Sequence, residues 1–355
     1  MTAVTKPARP DAEDASPRPL PWRRMAGVTW RQHRIALAGV TVLLGALAVW
    51  LWILGTSLHN AYAAAIACHP ASSLACQNLI STFDASADNH FMGDKGPGGV
   101  LLQLVPALIG AFVGAPVLAR ELETGTFRYA WTQGFGRWRW ALAKLVLLAV
   151  VLAAATSALG ALVSWYYQPL FGNQATGLYG SSPLDTLFAL REVTFPAWTL
   201  AAFTIAALTG MLIRRVVPAI TATLAVYAAL AIATGGVLRE HYLTPLVTTS
   251  MNLPGPAWII SQWWTKDGRF AFAGAPTANL FQYCSSASPG LGSKGGGGAT
   301  ETVPQCMAHA GYTMWTSYQP ASRFWPFQWI EGGWLLALSV LLIVAAVWLV
   351  QSRAA

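Results

Sequence analysis

Residues 35–57 read I-A-L-A-G-V-T-V-L-L-G-A-L-A-V-W-L-W-I-L-G-T-S, 23 positions without one charged side chain. A helix rises about 1.5 Å per residue, so roughly 20 apolar residues cross the ~30 Å hydrocarbon core of a bilayer. This stretch is therefore long enough to span a membrane. Five further stretches of the same kind follow, at 99–119, 145–167, 193–213, 216–238 and 332–350. Over the whole chain of 355 residues, 55% are hydrophobic and 10% charged, against about 25% charged in an ordinary soluble domain. No repeated ten-residue alternation of a lipid-facing barrel is visible, and lipid-exposed backbone must satisfy its own hydrogen bonds. The sequence thus predicts an all-α polytopic membrane protein with six transmembrane helices.

The first apolar stretch exceeds the about 7–15 residues of a signal-peptide core and follows a 34-residue leader, so it is expected to be retained despite the small residues Ala61 and Ala63 beyond it. Residues 1–20 contain Pro7, Pro10, Pro17 and Pro19 and few apolar groups, which reads as a disordered tail. Residues 21–34 differ. On a helical wheel Trp22, Met25, Ala26, Thr29 and Trp30 share one side and Arg23, Arg24, Arg31 and Arg34 the other. Such a basic amphipathic helix suits a membrane interface.

Charge orients the spans. With the N-terminus in the cytoplasm, 15 of the 22 basic residues fall inside and seven (Lys95, Arg191, Arg239, Lys266, Arg269, Lys294, Arg323) fall in the longer outer segments. This strong positive-inside bias places both termini in the cytoplasm of a multi-pass cell-membrane protein. It also accounts for the net charge of +8, leaving no basic face for nucleic acid. All four cysteines, Cys68, Cys76, Cys284 and Cys306, fall in segments assigned to the outside, where disulfides persist. Three connectivities are open, and local pairing of Cys68 with Cys76 and of Cys284 with Cys306 is favoured. The spacings lack the short clip of a zinc site.

The predicted outer segments are 58–98, 168–192 and 239–331. The first holds Asp84, Asp88, His90 and Asp94, which read as a solvated loop and not as a metal site. The last contains the aromatic run 254–264, too short to span and expected to dip into the interface or re-enter, and the glycine-rich run 290–298, whose Lys294 lacks the order of a phosphate-binding loop. No predicted span carries an ionisable residue in its interior, which counts against a proton- or sodium-coupled carrier. The polar side chains within spans, including Gln103, Thr156, Ser164, Thr199, Thr204, Thr209, Thr223 and Tyr227, are expected to make interhelical hydrogen bonds.

The inner loop 120–144 begins Arg120-Glu121-Leu122-Glu123-Thr124-Gly125-Thr126-Phe127-Arg128 and continues through Ala130-Trp131-Thr132-Gln133-Gly134 to Arg137, Arg139, Trp140 and Lys144. As a helix from Glu123, Phe127, Ala130 and Trp131 face one way, and Arg128 and Thr132 another. The order of residues resembles the permease subunits of type-2 ATP-binding-cassette exporters. In that family span 2 ends in an A-R-E-x-E-x-G-T pattern, a coupling helix follows, and an arginine precedes span 3. Ala119, Arg120, Glu121, Glu123, Gly125, Thr126, Arg137 and Lys144 stand at matching positions, and the Ala130–Gly134 stretch is similar to an actinobacterial branch. Gly134-Phe135-Gly136 departs from the proline-containing turn of many relatives. The likeness is specific over about 25 residues and extends loosely to the six-span layout.

The resemblance implies a permease with no catalytic residue, metal or cofactor of its own. ATP would be bound by a separate ATPase subunit, because no Walker A sequence is present. Glu121, Glu123, Gly125, Thr126, Phe127, Arg128, Trp131, Gln133 and Arg137 would couple to that ATPase, and a second permease copy or a paralogue would complete the path for an amphipathic or hydrophobic substrate. Two other readings stand beside it. One is a sensor or immunity protein on the same scaffold. The other is a membrane-embedded transferase or hydrolase using Asp84, Asp88, His90, His241 or His309, for which no nucleophile-base motif is present.

Overall fold

A computed structural model describes residues 22–70, 73–87, 97–124, 137–171, 182–184, 187–250, 253, 255–274 and 303–352. Six helices among them are long and apolar enough to cross a membrane: Gly27–Ala67, Gly98–Thr124, Trp138–Leu170, Thr194–Ile213, Val216–His241 and Ala321–Ser352, here spans 1 to 6. Five of them contain the apolar run that predicted them and extend further, while span 4 starts one residue inside its run 193–213. Helix α1, Trp22–Ala67, is one unbroken rod of 46 residues, about 69 Å long at 1.5 Å per residue. The predicted interface segment is therefore continuous with span 1, and the side chains of Trp22 to Ala26 lie outside the description.

Span 2 is built from α3, Pro97–Ile109, a π-helical turn, Gly110–Gly114, and α4, Ala115–Thr124. Pro106 within α3 has no N–H to donate, and the wider turn begins four residues later. This turn sits against span 4 (α6, Thr194–Ile213) at distances that only glycine permits. A Cβ on Gly110 would lie 2.4 Å from the Cβ of Ala202, and one on Gly114 would lie 2.5 Å from the carbonyl oxygen of Phe203. Gly210 repeats the pattern from the other helix, with Ala115 O at 2.7 Å. Small residues four apart let the two backbones meet, which is how helices associate where lipid tails offer no hydrophobic drive. Spans 4 and 5 (α7, Val216–Ala233, with its continuation) are joined by Arg214-Arg215 alone. Arg214 takes the left-handed conformation, φ 59°, and its N–H caps the carbonyl of Gly210. Pro218 falls in the first turn of α7, where its missing donor costs nothing.

Span 3 (α5, Arg137–Tyr167) packs its Leu145, Leu148, Leu152 and Val163 into the main apolar core with Leu51 and Leu58 of span 1 and Phe203 of span 4. Most hydroxyls in the spans bond back to their own helix and not across to a neighbour as expected. Thr156 donates to Leu152 O, Thr199 to Phe195 O, Thr204 to Leu200 O and Thr223 to Ala219 O. The hydroxyl pair Thr209 and Thr223, 2.8 Å apart, does bridge spans 4 and 5. Back-bonding satisfies a hydroxyl in lipid without any partner helix.

The segment between spans 5 and 6 is not wholly irregular. It forms a four-stranded antiparallel sheet of β1 (Leu246–Thr248), β2 (Ala257–Lys266), β3 (Arg269–Ala273) and β4 (Tyr312–Pro320), in the order β1-β4-β2-β3. The aromatic run 254–264 is thus mostly strand β2 and not an irregular loop. Trp263 pairs with Trp315 across the ladder, their rings stacked at 6.2 Å. The backbone hydrogen bonds of the run go to strands on both sides, so it needs no membrane around it. Trp264, Cys306, Met307, Phe272 and Met314 form a small core behind the sheet, while Trp258, Phe324, Phe327, Phe188 and Leu184 seat it on the bundle. The remaining helices are α2 (Leu74–Ala87), tied to the end of α1 by the disulfide Cys68–Cys76, α8 (Val303–His309) and α9 (Phe324–Ser352), which carries span 6. Cys306 is also disulfide-bonded, and its expected partner Cys284 lies outside the described residues. Among the described residues no group of acidic, histidine or cysteine side chains could hold a metal. Asp84 is exposed on α2, whereas Asp88, His90 and Asp94 are not described.

Candidate functional site

The two ends of the bundle carry different chemistry. At the end bearing Arg120, Arg139, Arg214 and Arg215, the carboxylate of Glu121, at the close of span 2, accepts a hydrogen bond and ion pair from Lys144 of span 3. Lys144 is 1% exposed, and its ammonium lies 4.4 Å from the ring centre of Trp140. Two residues on, Glu123 Oε2 accepts the backbone N–H of Val216 at 3.3 Å, one of the free donors at the start of span 5. Two acidic residues two apart thus fasten span 2 to span 3 and to span 5. Gly125, Thr126, Phe127, Arg128, Trp131 and Gln133 lie outside the described residues, and Arg137 opens α5 with its side chain undescribed.

Toward the other end, spans 2, 4 and 5 enclose a cavity of about 620 Å³, lined among others by Gln103, Ala107, Trp198, Leu224, Tyr227 and Arg239. Apolar side chains dominate the wall, with Gln103, Tyr227 and Arg239 as polar points, the composition of a small-molecule pocket. Arg239 is the cationic end. Its Nε and Nη2 donate to Glu331 Oε2 and Oε1, both at 2.9 Å, and the guanidinium stacks on Phe188 at 4.7 Å. Glu331 is fully buried and receives Trp198 Nε1–H at 2.9 Å and the Tyr242 hydroxyl at 3.4 Å. Trp334 Nε1–H donates to the Tyr242 oxygen at 3.0 Å. Burial and the charge of Glu331 push the Tyr242 hydroxyl well above its ordinary range, so it remains a donor. Below, Gln328 accepts the N–H of Thr194 at 3.0 Å and donates to Phe188 O at 3.3 Å. Arg239, Glu331, Trp198, Tyr242, Trp334 and Gln328 thus all have hydrogen-bond partners, as a buried network requires.

This network corrects the assignment of Arg239 and Glu331 to the outer loop 239–331. Span 5 runs to His241 and span 6 starts at Ala321, so Arg239 and Glu331 lie within the helices and not in an outer loop. The pair was hidden because its members are 92 positions apart in the chain. The signal that could have found them was two opposite charges at the boundary of neighbouring apolar runs. Asp-Gly at 267–268 was a comparable signal for the β2–β3 hairpin. Both residues have positive φ, 52° and 75°, as the tight hairpin turn demands.

The profile of a family described as ABC-2 membrane transporter related matches residues 41–239. The match takes in more than half of the chain. This chain belongs to that family. No curated protein and no solved structure gives a significant match. The matched region of this ABC-2 related protein runs from span 1 to Arg239, so it contains both the Glu121–Lys144 fastening and the cavity wall. Glu331, span 6 and the whole sheet lie beyond it. Membership identifies the protein as a multi-pass membrane component of a transporter, a family whose members are normally transport components and not enzymes.

Proposed function

We propose that this chain is the permease subunit of an ABC exporter, forming the path for an amphipathic or hydrophobic substrate and driven by a separate ATPase. The observation that carries the proposal is the tying of spans 2, 3 and 5 by Glu121 and Glu123 beside the loop whose sequence resembles the coupling segment of such permeases. A push delivered to that loop is transmitted to three helices at once, two of which wall the cavity. The arginine-rich end is cytoplasmic in this reading, both termini lie on that side, and the sheet lies outside. Span 5 leaves Val217, Val226, Ile232 and Val237 exposed beside the cavity, a face that suits a second permease copy or a paralogue closing the path. Movement would be a two-state rocking between inward- and outward-facing forms.

The test uses the permease co-expressed with its ATPase. Glu121→Gln keeps shape but removes the charge facing Lys144, and should lower substrate-stimulated ATP hydrolysis severalfold while the complex still copurifies. Trp131→Ala should weaken copurification itself, since buried aromatics anchor such contacts. Full stimulated hydrolysis with intact copurification in both variants would refute the coupling assignment.

A further inference from the structure

A second cavity lies away from the proposed path. It has a volume of about 410 Å³ and is bordered by Ser164, Trp165 and Gln168 at the end of span 3, by Phe171, and by Arg191 and Glu192 just before span 4. Arg191 is only 6% exposed. Its guanidinium is held between the rings of Phe171 and Phe324, at 4.2 and 4.5 Å. Nη1 donates to Pro183 O at 3.2 Å, and Nε points to Ser164 Oγ at a long 3.4 Å. Among the described residues Arg191 makes no ion pair, even with its neighbour Glu192. A guanidinium carries five N–H donors, and its direct hydrogen-bond partners here are two neutral oxygens, with the Glu192 carboxylate acting on it through space only; a charge this buried gains from a directly bound anion. Glu192 supplies the opposite charge on the same cavity. It is held at φ 43°, a conformation unusual for a non-glycine residue.

The geometry points to a binding site for a zwitterionic phosphate-and-ammonium group, the headgroup of phosphatidylethanolamine, with the phosphate on Arg191 and Ser164 and the ammonium on Glu192. Its depth favours a lipid as the source. Span 3 ends at Leu170 and span 4 begins at Thr194, so the cavity sits at headgroup level. Ala161 and Gln168 are exposed and open it to the outside of the bundle. Next to it Trp165 stacks with Trp52 at 5.0 Å and with His59 at 4.5 Å, an aromatic cluster of the kind found at bilayer interfaces. Gly55 keeps that stack in place, because a Cβ there would lie 2.3 Å from Trp165. A bare anion would meet Glu192 as a repulsive group in the site, and a wholly apolar ligand would leave the remaining N–H donors of Arg191 without an acceptor.

Native mass spectrometry of the full-length, delipidated protein would test this, with phosphatidylethanolamine, phosphatidylglycerol of the same acyl chains, and water-soluble phosphoethanolamine as probes. Wild type should prefer phosphatidylethanolamine to phosphatidylglycerol by about tenfold, the effect of one charge-assisted contact. Phosphoethanolamine alone should bind far more weakly. Glu192→Gln should erase the preference between the two lipids, and Arg191→Gln should lose both. Arg191 is buried and its variant sacrifices packing, so Glu192→Gln, at a half-buried position, carries the decision. Equal binding of both lipids to wild type, or a preference unchanged in Glu192→Gln, would overturn the site. Phosphoethanolamine binding as tightly as the lipid would overturn the lipid as its source.

Discussion

The buried carboxylate of Glu331 is stable only because four groups address it, namely two nitrogens of Arg239, the indole of Trp198 and the hydroxyl of Tyr242. Removing Arg239 strands the charge. Arg239→Met should therefore destabilise the protein by about 3–5 kcal/mol, measured as the midpoint of unfolding in mixed detergent. The double variant Arg239→Met with Glu331→Leu should recover much of that loss, because it removes both desolvation penalties together. No recovery would mean that Trp198 and Tyr242 depend on the carboxylate more than it depends on Arg239. A second buried cation behaves differently. Burial pulls Arg191 down to about 10. Well below pH 10 the group is charged in folded and unfolded chains alike, so its burial penalty is constant. Above about pH 10 the unfolded chain binds more protons, and stability should rise with pH until the unfolded arginine also titrates. From pH 6 to 9 Arg191 should therefore add no slope to the melting temperature, which a pH series comparing wild type with Arg191→Gln would check.

Among the elements, the contact of span 2 with span 4 is the most sensitive to side-chain size. Gly114→Val would bring new atoms against Phe203 O and the Cβ of Ala206, and overpacking of this kind costs about 1–3 kcal/mol. The same change at Gly39, where a Cβ would meet nothing within 4 Å, should leave the melting temperature within a degree or two. Thermal unfolding of the two variants side by side would show the difference. The spans were legible because a run of apolar residues long enough to cross a bilayer has few other uses in a chain this poor in charge. Their ends were not. Helices such as α1 continue past the uninterrupted apolar run, through polar positions such as His59 and Asn60, while the backbone still bonds to itself, and hydropathy has no signal for that. The sheet was missed because β2 is rich in tryptophan on both faces, so no alternation of apolar and polar residues marked it. At the arginine-rich end the family-like pattern singled out Glu121 and Glu123, but their partners, Lys144 and the N–H of Val216, are set by how the helices pack. In the cavity wall the sequence singles out only Gln103 and Tyr227, as ordinary polar residues, and its charge pattern places Arg239 in an outer loop.

For the whole molecule, topology is the property most directly open to measurement. The charge distribution predicts that a cysteine introduced at position 180 will react with a membrane-impermeant maleimide from outside, and one at Arg215 only after the membrane is opened. The opposite pattern would invert the proposed sidedness of the arginine-rich end. Mass spectrometry of the unreduced protein should find the peptides of Cys68 and Cys76 linked, as the structure shows, and recovery of two free thiols there would contradict it.

Span 4 is the hub of the bundle. It packs against spans 2, 3, 5 and 6 and is the most thoroughly buried of the six, with 67% of its apolar window inside the protein against 22% for span 1. A chain made from its N-terminus delivers three helices to the membrane before that hub exists. During that interval the glycines at 110 and 114 face lipid, and the packing of span 1 on span 3 is the main contact available to hold the early helices together. The order of birth on the ribosome therefore leaves span 2 waiting for a partner about 90 residues downstream, the separation of Gly114 from Phe203. A quality-control protease or an insertion chaperone would have its best opportunity there, before residue 213 has left the exit tunnel.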